Sequence, residues 1–215
     1  MIDLHTHTFF SDGALVPAEQ LRRAEVLGYE AVAITDHADS SNLDFIIPRI
    51  VQVAKDLTPH STTRLIPGIE LTHVPPALIA ELTQKARKLG AQVGVAHGES
   101  PVEPVAPGTN LASIEAKVDI LSHPGLITEK EMQLARDNGV MVELSGRKGH
   151  SLTNGHVARL GLKTGATLVV NADAHSPSDF LSAEMARMVA LGAGLSSDEY
   201  DRLRQDMQNF VNSLG

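Results

Sequence analysis

Short apolar runs in this chain end, one after another, in histidine. His5 and His7 close MIDLHTH, His37 closes AVAITDH, His97 closes AQVGVAH, His123 closes VDILSH and His175 closes TLVVNADAH. Runs of this length, rich in Val, Ile and Ala, read as strands buried on both faces, the form that parallel strands take. A polar, metal-capable side chain at the C-terminal end of nearly every run is the pattern of α/β barrels, whose reactive groups gather at that one mouth. An open parallel sheet would collect them at a single switch point instead.

Strand-like runs fall at about 2–5, 31–35, 64–69, 91–96, 118–122, 140–144 and 167–171, and amphipathic stretches separate them. The helices carry their own punctuation. Pro17 opens the first and Gly28 closes it, others span about 43–57 and 76–89, and Gly90 ends the latter. Thr128 with Glu131 forms a capping box for a helix that Gly139 stops; Ser176 with Pro177 and Asp179 opens another helix, and Ser196 with Glu199 the last. Seven β/α units with no eighth strand-like run predict an α/β fold, a distorted seven-stranded (β/α)7, TIM-like barrel. The 215 residues are enough for one such domain, spanning 1–215. The one long irregular stretch, HGESPVEPVAPGTN from His97 to Asn110, has three prolines that prevent a regular helix. Its length suits a lid or binding loop.

Composition narrows the chemistry. A net charge of −8 and an aromatic content of 3% offer neither an electrostatic footprint for nucleic acid nor a stacking platform for bases. A small molecule is the expected partner, with nucleic acid entering only as a nucleotide or short oligonucleotide. The absence of cysteine removes disulfides, zinc-thiolate sites and a thiol nucleophile, and leaves histidine and carboxylate as the strong metal ligands. No segment ahead of MIDLHTHT reads as a cleaved targeting signal, and no apolar stretch approaches the roughly 18 residues of a membrane span. A cytoplasmic location without a membrane partner is the expectation; the oligomeric state is open.

His5 and His7 stand at i and i+2, so on an extended strand both rings face one side and can chelate one ion. Asp173 and His175 repeat that spacing, Asp36 and His37 close the second strand, and Glu70 closes the third, where a carboxylate can bridge two ions. Asp12, in a Ser-Asp-Gly turn, either folds back to the same mouth or caps its own backbone. His60, His73 and His156 lack this strand-end context and read as surface or packing residues.

Taken in order, H-x-H at 5–7, S-D-G at 11–13, T-D-H at 35–37, G-I-E at 68–70, A-H-G at 96–98, S-H-P-G at 122–125 and N-A-D-A-H at 171–175 resemble the PHP superfamily, named for polymerase and histidinol phosphatase domains. The resemblance covers essentially the whole domain and is to a stand-alone, histidinol-phosphatase-like phosphoesterase. It implies a seven-stranded barrel with three divalent ions. The first would be held by His5, His7, Glu70 and Asp173, the second by Glu70 as bridge with His97 and His123, and the third by Asp12, His37 and His175. Some members carry a histidine near the position of Asp12. Zinc, manganese and iron all accept such imidazole and carboxylate sets.

The resemblance also implies a reaction. Ions bridged by Glu70 would acidify a shared water into a hydroxide nucleophile, while neighbouring charge holds phosphate oxygens. Glu70 and Asp173 are therefore catalytic as well as ligands. The run Glu143-Leu-Ser-Gly-Arg147-Lys148-Gly-His150 ends the one strand without a family ligand. Arg147 and Lys148 are either a phosphate clamp or a solvated basic loop. His150 is a candidate general acid or substrate contact, Glu143 a partner orienting a ligand, and Glu99 or Glu103 a contact for a substrate amine. The leading expectation is a phosphomonoesterase acting on a small phosphorylated metabolite, with histidinol phosphate as the superfamily's best-known substrate. A nucleotide phosphodiesterase or exonuclease, or a non-catalytic module, are the alternatives.

Overall fold

The computed structural model describes residues 1–214. In chain order its strands are β1 (Ile2–Asp3), β2 (Ala31–Ile34), β3 (His37–Ala38), β4 (Arg64–Leu71), β5 (Val93–His97), β6 (Ile120–Ser122), β7 (Met141–Ser145) and β8 (Leu168–Asn171). All pairings are parallel, in the order β1-β2-β4-β5-β6-β7-β8, with β3 also on β4. The eight strands make seven staves, because β2 and β3 are one strand interrupted. Ile34 lies opposite Pro67 and His37 opposite Glu70, and 67 − 34 and 70 − 37 both give 33, so the register is unbroken across the gap. The interruption has a cause on each side. Pro67 has no N–H to give the ladder, and Thr35 turns its own N–H to Thr6 O at 2.8 Å.

The barrel is nearly closed. Between β8 and β1 the seam is made by a single parallel bridge, Thr6 with Ala174, and by side chains. The Asn171 Oδ1 accepts Leu4 N–H at 2.9 Å, and the Asp3 carboxylate accepts Ala172 N–H at 3.1 Å. Side-chain acceptors thus replace missing ladder bonds at the place where the polar residues of the mouth crowd the wall. All four residues of β2 and of β8 are buried, as strands covered on both faces require.

Eight α-helices surround this sheet among the described residues: α1 (Pro17–Val26), α2 (Leu43–Leu57), α3 (Pro76–Leu89), α4 (Thr109–Glu115), α5 (Glu129–Asn138), α6 (Asn154–Thr164), α7 (Ala183–Gly192) and α8 (Ser197–Ser213). The capping boxes at Thr128–Glu131 and Ser196–Glu199 both form. One helix start differs from the sequence expectation. Ser176 does not open a helix, because Asp179 Oδ2 takes the N–H groups of His175 (3.0 Å) and Ser176 (2.7 Å) into a closed turn. The helix waits for Ser182, whose side chain caps Met185 N–H at 3.1 Å. No helix among the described residues is long and apolar enough to cross a membrane.

Candidate metal centre

His5 and His7 follow β1 directly, and both side chains are fully buried. His5 Nδ1 lies 2.7 Å from Glu143 Oε2. A carboxylate only accepts, so Nδ1 carries the hydrogen, and Nε2 points at Glu70 Oε1 (3.3 Å) and Asp173 Oδ1 (3.7 Å). Burial works against charge on this ring, yet Glu143, Asp173 and Glu70 outweigh it and raise its pKa well above the ordinary value. Three buried carboxylates round one imidazole make a pocket that demands positive charge. The nitrogens of His7 and His5 Nε2 have no hydrogen-bond partner although wholly buried. Burial and the neighbouring rings of His37 and His5 keep His7 neutral, the form in which an imidazole binds a metal.

Glu70, near the end of β4, divides its two oxygens between two sets of partners. Oε1 faces His5 Nε2, His123 Nε2 at 3.6 Å and the Ser122 hydroxyl at 2.9 Å; Oε2 faces His37 Nδ1 at 2.6 Å, the Thr72 hydroxyl at 3.2 Å and His7 Nε2 at 3.9 Å. Burial alone would raise this carboxyl, but His5 and His37 hold it well below the usual range. One ionised carboxylate reaching both sides of a histidine cluster is the geometry a bridging ligand needs.

On one side, Asp12 Oδ1 stands 3.1 Å from His175 Nε2 and 3.4 Å from His37 Nε2, and ligand atoms of His7, Asp12, His37 and His175 lie within 4.8 Å of one another. The turn that brings Asp12 here is built for it. Buried Asp36 accepts Thr8 N–H, Thr8 Oγ1–H and Ser11 Oγ–H, each at 2.7 Å. Gly13 packs its backbone on the His7 carbonyl, where any Cβ would collide. Burial would raise the Asp12 pKa, but hydrogen bonds from His175 and His37 hold it well below the usual range.

On the other side, ligand atoms of His97, His123 and His150 converge within 4.8 Å, and the His123 and His150 rings stack at 4.0 Å. His150 is held by Ser100 Oγ at 2.6 Å from its Nδ1. Burial lowers its pKa to about 4, against the opposing charge of Glu103. It is therefore neutral at physiological pH, a lone-pair donor rather than a stored proton. Arg147 Nη1 donates to Asp173 O at 3.2 Å and lies 2.6 Å from His175 Nδ1, so the guanidinium sits at the mouth. Lys148 is exposed, and it shares with Arg147, His175, Ser178 and Asp179 a cleft of about 690 Å³.

All nine residues that the resemblance nominates as ligands thus meet at one barrel mouth, with Arg147 and His150 beside them. Two supporting acids divide differently. Glu103 reaches the mouth, whereas Glu99 Oε1 is spent on the N–H groups of Gly108 and Asn110, both at 3.0 Å. His73 was not marked by its sequence context, yet it is 3.1 Å from Glu103 and its ring centroid is 5.0 Å from that of His97. The signal was conformational. His73, His123 and Asp173 have positive φ (53°, 26° and 54°), a region L-residues enter uncommonly, although Lys117 (54°), away from the mouth, shares it.

A family model for the PHP domain matches residues 3–138. The chain belongs to the PHP family. That match spans the mouth residues from His5 to His123, while Asp173 and His175 lie beyond it. The chain is 45% identical over 201 residues to an uncharacterized protein of Methanocaldococcus jannaschii, covering 93% of this chain and 92% of that one. It is 26% identical over 193 residues to the DNA polymerase/3'-5' exonuclease PolX of Bacillus subtilis, covering 81% of this chain but 34% of PolX. Among solved structures, histidinol phosphate phosphatase from Lactococcus lactis, crystallised with zinc, L-histidinol and phosphate, superposes with a TM-score of 0.63. The two share 16% identity, over 91% of this PHP chain and 94% of that one, so the likeness is one of fold.

Proposed function

We propose that the protein is a metal-dependent phosphomonoesterase acting on a small phosphorylated metabolite, of the histidinol-phosphate phosphatase type. The observation that carries the reading is the fully buried His5, whose Nδ1–H is fixed by Glu143 and whose Nε2 is left facing two carboxylates without a partner. A set of donors so arranged fits divalent ions. One would be held by His5, His7, Glu70 and Asp173, a second by Glu70, His97 and His123, and a third by Asp12, His37 and His175, with zinc, manganese and iron as the candidates. When bound there, such ions supply an acidified water and the positive charge that phosphate oxygens need.

The residues of the chain perform the rest. Arg147 orients the phosphate from the His175 side of the mouth, and Lys148 adds charge along the adjoining cleft, as guanidinium and ammonium groups do for phosphate oxygens. Attack of water breaks the bond from phosphorus to the ester oxygen. Asp173 takes the water's proton; its Oδ2 lies 3.9 Å from the Nε2 of neutral His150, whose lone pair accepts that proton and relays it to the leaving oxygen. The acidic, aromatic-poor composition favours a small substrate over a long polynucleotide.

The PolX match favours a second use of the same mouth, cleavage of nucleotide phosphodiesters. Turnover of a phosphate monoester panel, histidinol phosphate included, against short oligonucleotides in the presence of Mn²⁺ or Zn²⁺ separates the two. Faster hydrolysis of the monoesters is the expected result, and preference for the oligonucleotides overturns the order.

A further inference from the structure

The loop between β5 and α4 is pinned at both ends and nearly free between them. At its base the Glu99 carboxylate takes Gly108 N–H and Asn110 N–H, while Asn110 accepts Glu99 N–H at 3.0 Å and donates to Pro124 O at 2.8 Å. Gly98 lies flat on the Ser122 carbonyl and Gly125 on the Glu99 carbonyl, both without room for a Cβ. Toward the tip, Pro101, Pro104 and Pro107 have no N–H to give, and the backbone contributes Glu103 N–H to Ser100 O (3.4 Å) and Val105 N–H to Glu103 O (2.9 Å). Ser100 Oγ, 2.6 Å from His150 Nδ1, and the Glu103 carboxylate tie this stretch to the barrel.

That carboxylate meets three imidazoles from three different segments. Oε2 is 3.0 Å from His97 Nε2 and 3.1 Å from His73 Nε2, and Oε1 is 3.4 Å from His150 Nε2. His97 Nδ1 lies 3.1 Å from the Gly98 carbonyl, to which it can only donate, so in the neutral ring Nε2 presents a lone pair to the carboxylate. Two lone pairs at 3.0 Å repel unless positive charge, a proton on Nε2 or a metal ion, lies between them. Donors round a tetrahedral ion with bonds of about 2.0–2.1 Å are about 3.3 Å apart, and the three distances bracket that spacing. Ligand atoms of His73, His97 and Glu103 also fall within 4.8 Å of one another.

We propose that Glu103 is a metal ligand, carried by the loop 98–108 to the ion at His97, and that this loop is a strap latched over the mouth by that ion. The proposal rests on the metal-centre reading above and adds a tenth ligand to it. His73 and His150 flank the carboxylate and steer it. A phosphate oxygen would compete with Glu103 for an ion held there, so substrate entry and release of the strap would be one event.

The test uses the full chain, stripped with a chelator and titrated with Zn²⁺ or Mn²⁺ alone, as wild type, Glu103→Gln and Glu103→Ala. Ion number and affinity come from competition with a chromophoric chelator, and loop order from hydrogen exchange at the amides of 102, 103, 105 and 106. Metal is expected to protect those amides in the wild type. In both variants one ion should bind at least about tenfold more weakly, the others should be unchanged, and the metal-induced protection should vanish. Unchanged affinities with protection independent of metal would overturn the strap while leaving the metal centre standing. A wild type that binds no ion would overturn both.

Discussion

Replacing Glu143 by Gln should weaken metal binding while leaving the metal-free protein as stable as before or more so. Glu143 Oε2 accepts His5 Nδ1–H at 2.7 Å and Asn171 Nδ2–H at 3.0 Å, and the side chain is wholly buried. It fixes which His5 nitrogen faces the proposed ion site, and loss of such an outer partner costs roughly 10–100-fold in metal affinity. That corresponds to about 1.4–2.8 kcal/mol, each tenfold step being about 1.4. Without metal the sign reverses. Glu143, Glu70 and Asp173 crowd the same imidazole, and removing one of three buried negative charges relieves repulsion. Chelator-competition titration and urea unfolding of the stripped protein measure the two effects separately. An affinity within twofold of wild type, or a metal-free variant destabilised by several kcal/mol, would refute the role assigned to Glu143.

Arg147→Ala should lower kcat/KM for a phosphomonoester by about 1–3 kcal/mol of transition-state binding, because the charge sits against Asp173 and His175. Lys148→Ala, at an exposed position, should change it only a few-fold; equal losses would mean the phosphate lies farther along the cleft. Asp3 predicts a pH effect. Burial pushes its carboxyl up to about 7 from 3.8, so between those values the native state holds a proton that the unfolded chain has released. Stability of the stripped protein should therefore fall as pH rises through that window, by on the order of a few kcal/mol. In Asp3→Asn that slope should flatten, and urea midpoints at pH 5 and 7.5 that move alike in both proteins would contradict it.

The barrel and most of the mouth are legible in the sequence because both depend on local pattern. A buried parallel strand reads as an apolar run, and its end reads as the first polar residue after it, so His5, Glu70, His97 and His123 announce themselves. Thr128–Glu131 and Ser196–Glu199 are legible for the same reason, since a capping box is closed within four residues. What escapes is conformational. The Ser176–Asp179 contact is as local as a capping box but closes a turn instead of a helix, which waits for Ser182. His73 lies past the strand end and reaches the mouth only through a left-handed turn, and Glu103 meets it by way of a proline-rich loop that carries no periodicity. Lys148 and Arg147 are neighbours in sequence, yet only the arginine is bonded to the centre, because its partners are groups on the segment after β8.

The count of divalent ions per chain, by elemental analysis of wild type and Glu70→Gln together with phosphomonoester hydrolysis, tests the proposed polynuclear centre most directly. Glu70 spans both sides of the histidine cluster, so the wild type should carry three ions, and the variant should lose at least one and with it hydrolysis. A wild type that binds no ion, or a Glu70→Gln protein with full metal content and unchanged turnover, would contradict it.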